Sequence, residues 1–181
     1  MRSKIIIIAL VVIFAVFSMV DMAKAVTAET IDAGVVKSID MLKGMSGGKT
    51  VIDKAAGLLV FPSVFKAGIG IGGEYGEGAL VIDGKSVDYY NTAAASIGFQ
   101  LGAQKKTIIL AFMDKKALEN FQNSIGWKIG ADASVAVIAI GAGGSIDTSK
   151  LNQPIVAFVF DSKGLMYNLT LEGAKITKLT R

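Results

Sequence analysis

"GIGIGGEYGEGALVID" spans positions 68–83 and places six glycines in its first eleven residues. Gly68, Gly70 and Gly73 satisfy G-x-G-x-x-G, the spacing of a dinucleotide-binding turn. That fingerprint needs a strand before the glycines and a helix opening at the third. Here Glu-Tyr-Gly-Glu-Gly follows Gly73 and then Ala-Leu-Val-Ile, a poor helix and a good strand. Gly68, Gly70 and Gly72 instead fall on one face of a strand, where missing side chains let another backbone lie close and let the sheet bend. The stretch reads as one long bent strand or two strands, closed by the Asp83-Gly84 turn signal.

Around this centre the pattern is helix first and then mostly β. Ile31, Val35, Ile39 and Leu42 recur at helical spacing between Thr27, a capping residue, and Gly44, a stop. A shorter helix is expected over Thr50–Ala56, then a strand "GLLVFP" stopped by Pro62. "ASIGFQLGAQ", "KTIILAFM" and "ADASVAVIAIGAGG" read as strands, and "DKKALENFQ" as a short helix capped by Asp114. "PIVAFVF" and "LMYNLTLEG" read as a hairpin across "DSKG". The expected class is α+β: an N-terminal helix or helices, then a mostly antiparallel, strongly bent or barrel-like sheet with a short helix inserted.

The first 25 residues read differently. Arg2 and Lys4 precede an apolar run from Ile5 to Val20, and Ala23-Lys24-Ala25 supplies a small-x-small exit, the layout of a secretory signal. The run is short of the ~20 residues needed to span a bilayer. The expectation is a signal over 1–25, one domain over 26–181, and a location in the periplasm or cell envelope, or outside the cell.

Composition narrows the chemistry. The chain has 181 residues, a formal net charge of +4 and a pI near 9.2. That excess is too weak to argue for nucleic acid. Histidine and cysteine are both absent, which removes the usual general base, thiol catalysis and the common zinc ligands. No cofactor or metal is expected. "GGKT" at 47–50 lacks the upstream strand and glycine of a phosphate loop. "SVFK" spaces Ser63 and Lys66 as in penicillin-recognising serine enzymes, but no K-T-G accompanies it. Glu74 and Glu77 flank Tyr75 without a converging third group, and so read as bend charges rather than an acid/base pair. Asn168 opens an N-L-T sequon inside an expected strand. No catalytic residue is assigned.

The lysines carry more. Lys37, Lys43, Lys105 and Lys106, with others at 49, 54, 66, 115, 116 and 128, supply cations for anionic headgroups beside an amphipathic helix. Such a helix equally serves to pack on a core.

"KAAGLLVFPSVFKAGIGIGGEYGEGALV" (54–81), "SIGFQLGAQ" (96–104), "GADASVAV" (130–137) and "KGLMYNLTLEGAKI" (163–176) together resemble the successive blocks of the SYLF domain. The resemblance runs from about Val35 to Thr180. It implies a compact antiparallel β structure with flanking helices, no catalytic chemistry, and binding of lipid, in some members phosphoinositide or actin. Carried onto this chain, the lipid-contacting segment is Thr27–Lys43. Lys37 and Lys43 are then the headgroup contacts, and Ile31, Val35, Ile39 and Leu42 the inserting stripe if the core does not claim it. Asp32 and Asp40 dilute the charge of that segment relative to the family pattern. A cavity lined by Phe61, Phe65, Phe99 and Trp127 is a second route to lipid. The expected partner is phospholipid or a membrane surface, with a protein partner as the alternative.

Overall fold

A computed structural model of the chain describes residues 26–140, 146, 151–161, 171 and 173–180. The expected signal segment and Asn168 lie outside the described residues. The elements are helices α1 (Ala28–Lys43) and α2 (Gly48–Lys54), strands β1 (Gly57–Ile82) and β2 (Lys85–Phe112), and helix α3 (Lys115–Gln122). Strands β3 (Trp127–Lys128), β4 (Ala136–Ile140), β5 (Ile155–Asp161) and β6 (Lys175–Leu179) follow. Helices followed by a curled, mostly antiparallel sheet make the fold α+β.

The helix ends obey local chemistry. The Thr30 amide donates to the Thr27 hydroxyl at 3.3 Å, and the Gly44 amide returns to the carbonyls of Asp40 and Leu42. Asp114 caps α3 in the same way, accepting from the Ala117 amide at 3.0 Å.

The glycine-rich stretch is strand throughout, within a β1 of 26 residues. The expected stop at Pro62 does not occur. Pairing with β2 breaks between Phe61 and Val64, so the missing proline N–H falls where the ladder is already interrupted, and the Thr107 hydroxyl donates to the Pro62 carbonyl at 2.9 Å. The two strands expected over 95–104 and 106–113 likewise fall in one strand with the residues before them, ending at Phe112. Asp83 (φ 51°) and Gly84 (φ 75°) close the β1–β2 hairpin, the two positive angles of a tight hairpin turn.

This hairpin is folded on itself. Gly68 pairs with Gly102 and Gly70 with Gly98, so three residues of β2 oppose one of β1, and such a bulge bends the ladder. A Cβ at Gly78 would lie 2.0 Å from the Val60 carbonyl oxygen, and one at Gly76 2.8 Å from that of Ser63. The start of β1 therefore lies directly on its own end at Gly76 and Gly78.

β2 is the hub of the sheet. One edge carries β1, and the other is shared by β6 along Tyr89–Ala93 and β5 along Lys106–Phe112. The order is β3-β6-β2-β5-β4, with β4–β5 the one parallel pairing among the described strands. β5 thus has β2 on one side and β4 on the other. Most of the return segment "LMYNLTLEG" of the expected hairpin lies outside the described residues.

Both faces of the sheet are covered at this end. The inner, concave face buries Leu59, Phe61, Leu110, Phe112, Ile155 and Val159 with Leu118 and Phe121 of α3 and with Trp127. The outer face buries Val60, Ala79, Ile109, Ala111, Val156 and Phe158 beneath α1 and α2. Neighbours in sequence alternate between the two clusters, as period-two strands require.

Candidate functional site

The outer face positions most of the sequence-predicted residues. α1 lies on it with Ile31, Val35 and Leu42 at 3, 2 and 0 % exposure, and Ile39 partly buried against the same cluster. The stripe is core in this fold, so the condition for inserting it into lipid is not met while α1 is docked. Contact is close enough that a Cβ at Gly34 would lie 2.8 Å from the Pro62 ring.

One polar clamp fixes the helix. Ser86 Oγ donates to Asp32 Oδ1 at 2.7 Å, and the Tyr89 hydroxyl donates to Asp32 Oδ2 at 2.9 Å. In the sequence Asp32 reads as dilution of a basic helix face. Its partners lie 54 and 57 residues away, so no local signal reveals its structural role.

The opposite side of α1 is open. Lys37 and Lys43 are exposed there, together with Val36 (61 %) and Met41 (42 %). Sequence reasoning passed over Val36 and Met41 because they fall off the apolar stripe. Further along β1, on the same side of the sheet, Phe65 is 57 % exposed and the Lys105 ammonium stands 5.6 Å above its ring. This is a cation–π contact between directly paired residues.

Lys106 turns the other way. Its ammonium is 2.7 Å from Glu74 Oε1, with both side chains about nine-tenths buried. The pair ties late β1 to late β2 across the concave side, so Lys106 is not presented to a headgroup. Phe61 and Trp127 are core residues, and Phe99 has no described side chain. Ser63 and Lys66 sit three apart on β1, a spacing that sends strand side chains to opposite faces.

On the concave side Tyr90, Phe112 and Trp127 surround Phe121 at ring distances of 4.9, 5.0 and 5.4 Å. The Tyr90 hydroxyl is buried without a hydrogen-bond partner. Burial, helped by the Asp88 carboxylate, pushes its pKa up to about 12. It is therefore a neutral phenol across the physiological range.

Among the described residues no helix is long and apolar enough to cross a membrane. Residues 93–180 match the family described as "Ysc84: Las17-binding protein actin regulator", the family of the SYLF domain. The matched segment runs from the middle of β2 through β6; it contains Lys105 and Lys106 but not α1. No curated protein matches the chain. The match over residues 93–180 and the helix-then-curled-sheet architecture agree with the SYLF domain, a family of binding modules linked to lipid and actin.

Proposed function

We propose that this is an exported, non-enzymatic protein that binds phospholipid at the surface of a membrane in the cell envelope. The observation that carries the reading is the outer side of α1, where exposed Val36 and Met41 stand among Lys37 and Lys43, with the exposed Phe65–Lys105 pair on the same side of the sheet. Small apolar insertions flanked by ammonium groups suit the headgroup region, each lysine near an anionic surface contributing on the order of 1 kcal/mol. The signal-like residues 1–25 support export, and the family match over residues 93–180 supports binding rather than catalysis.

Co-sedimentation with vesicles tests this. Phosphatidylcholine alone is compared with phosphatidylcholine mixed with phosphatidylglycerol, at low and high salt. Binding that needs the anionic lipid and weakens with salt is expected, with Val36→Ser/Met41→Ser reducing it at both salts. Sedimentation with neither vesicle overturns the reading and leaves a protein partner as the function of the fold.

A further inference from the structure

Beyond α1 the outer face of the sheet continues uncovered. Strand register sets Lys128 of β3 opposite Lys175 of β6, Lys175 opposite Ala93 of β2, and Ala93 opposite Tyr75 of β1. One step along, Ala95 faces Gly73. All six residues are exposed, and a Cβ added at Gly73 would meet nothing within 4 Å. The result is an open floor of glycine and alanine with two lysines at one end and an aromatic at the other.

The lysines are the informative part. Like charges directly opposite each other on neighbouring strands are unfavourable. Among the described residues neither Lys128 nor Lys175 has a carboxylate within ion-pair distance. The nearby Asp132 spends an oxygen on the Lys128 backbone amide, at 2.6 Å, and Lys178 is engaged with Asp88 at 2.6 Å. Nor is Lys175 splayed at random. A Cβ at Gly126 would fall 2.7 Å from its Cε and 3.4 Å from its Nζ, so its stem lies over the glycine that precedes β3 and leaves room for it. Two lysines are thus paired on adjacent strands, and among the described residues neither has a carboxylate partner.

We propose that this pair is a clamp for the headgroup phosphate of an anionic phospholipid, placed on the membrane beside α1. The proposal rests on the lipid-binding reading above and adds the residues that take the phosphate. One phosphate between opposed ammonium groups removes the repulsion that the folded sheet otherwise retains. A protein partner is the poorer fit, because tight protein interfaces seat large anchoring side chains in pockets and this floor offers only glycine and alanine. Tyr75, exposed at the far end of the same row, is the residue type that favours the membrane–water boundary.

The test is vesicle co-sedimentation of the full chain, wild type against Lys128→Gln/Lys175→Gln and Lys115→Gln/Lys116→Gln. The second variant removes the same charge from exposed positions on α3, which packs on the opposite face of the sheet. With vesicles containing phosphatidylglycerol, the clamp variant is expected to partition roughly thirty-fold more weakly, the equivalent of about 2 kcal/mol for two lysines. The α3 variant should stay within about two-fold of wild type, because charges held more than a Debye length from the membrane surface are largely screened. Equal losses in both variants would mean bulk charge and overturn the clamp. Undiminished binding of the clamp variant overturns it too, while leaving the lipid reading intact. A wild type that binds neither neutral nor anionic vesicles removes both. Circular dichroism of each variant confirms that a loss is not unfolding.

Discussion

Tyr90→Phe should stabilise this protein, although it removes the only polar atom of a core side chain. Tyr90 lies on β2 with 4 % exposure, its ring 4.9 Å from Phe121, and its hydroxyl has no partner. A buried hydroxyl without a hydrogen bond costs about 1–3 kcal/mol relative to its hydrated state in the unfolded chain. Phenylalanine keeps the ring contacts and removes that cost. Urea denaturation near pH 7 should therefore show a gain of about 1–2 kcal/mol with an unchanged denaturant slope.

The same site has an alkaline signature. Its folded pKa of about 12 exceeds the ordinary 10. Below pH 10 the phenol is neutral in both states and adds no pH dependence. Between about pH 10 and 12 the unfolded chain releases the proton while the folded chain retains it, so stability falls as pH rises, by on the order of 2 kcal/mol in full. Other tyrosines and lysines titrate in this range too, so the measured quantity is the difference between wild type and Tyr90→Phe, which isolates one phenol. That difference should widen steadily above about pH 10. A variant that is less stable than wild type at neutral pH would refute the reasoning, because the hydroxyl must then have a partner such as an internal water.

Four further outcomes can be checked, three of them from the geometry of the fold. Gly78→Ala places a methyl group 2.0 Å from the Val60 carbonyl and should cost more than about 3 kcal/mol or abolish folding. Gly73→Ala, with open space around it, should shift the denaturation midpoint by no more than the equivalent of about 0.5 kcal/mol. Asp32→Ala removes both hydroxyl bonds to the sheet and should cost about 2–4 kcal/mol in urea denaturation, with Asp32→Asn retaining part of it. N-terminal sequencing of the exported protein should begin at Val26; a chain that retains Met1 counts against cleavage.

Local chemistry in the sequence is enough to identify α1, its Thr27 cap, the Asp114 cap of α3, the Asp83-Gly84 turn and the strand nature of 68–83. Each of these depends on residues a few positions apart. What stays hidden is pairing at long range. A short apolar run identifies "KTIILAFM" as strand but carries no information that it continues the strand before it, or that β5 is enclosed by β2 and β4. Pro62 reads as a stop because a proline in a regular ladder would be one; only the register break with β2 shows that it is tolerated. The site follows the same division. Periodicity finds the stripe Ile31, Val35, Leu42 but not what it faces, and Lys105 and Lys106 look equivalent until the strand parity sends one outward to Phe65 and the other inward to Glu74. The Lys128–Lys175 pair is invisible in sequence, since 47 positions separate two residues that only β-pairing sets side by side.

Under the proposed lipid-binding function, the commitment of α1 to the core favours one of two modes of membrane attachment. Inserting the stripe would first require lifting three large apolar side chains off the sheet, each worth about 1.5–3 kcal/mol of burial, and breaking the Asp32 clamp. It would also leave Val60, Ala79, Ile109 and Ala111 uncovered, and lipid taking up the helix does nothing for those. Attachment through Val36, Met41, the exposed lysines and Tyr75 requires no such step. Hydrogen exchange separates the modes. With anionic vesicles added, amide protection in α1 should stay as in free protein or rise, because the helix binds while docked. Loss of protection over Ile31–Leu42 together with residues 58–60 and 109–111 would show that the helix leaves the sheet, and the surface mode would be wrong.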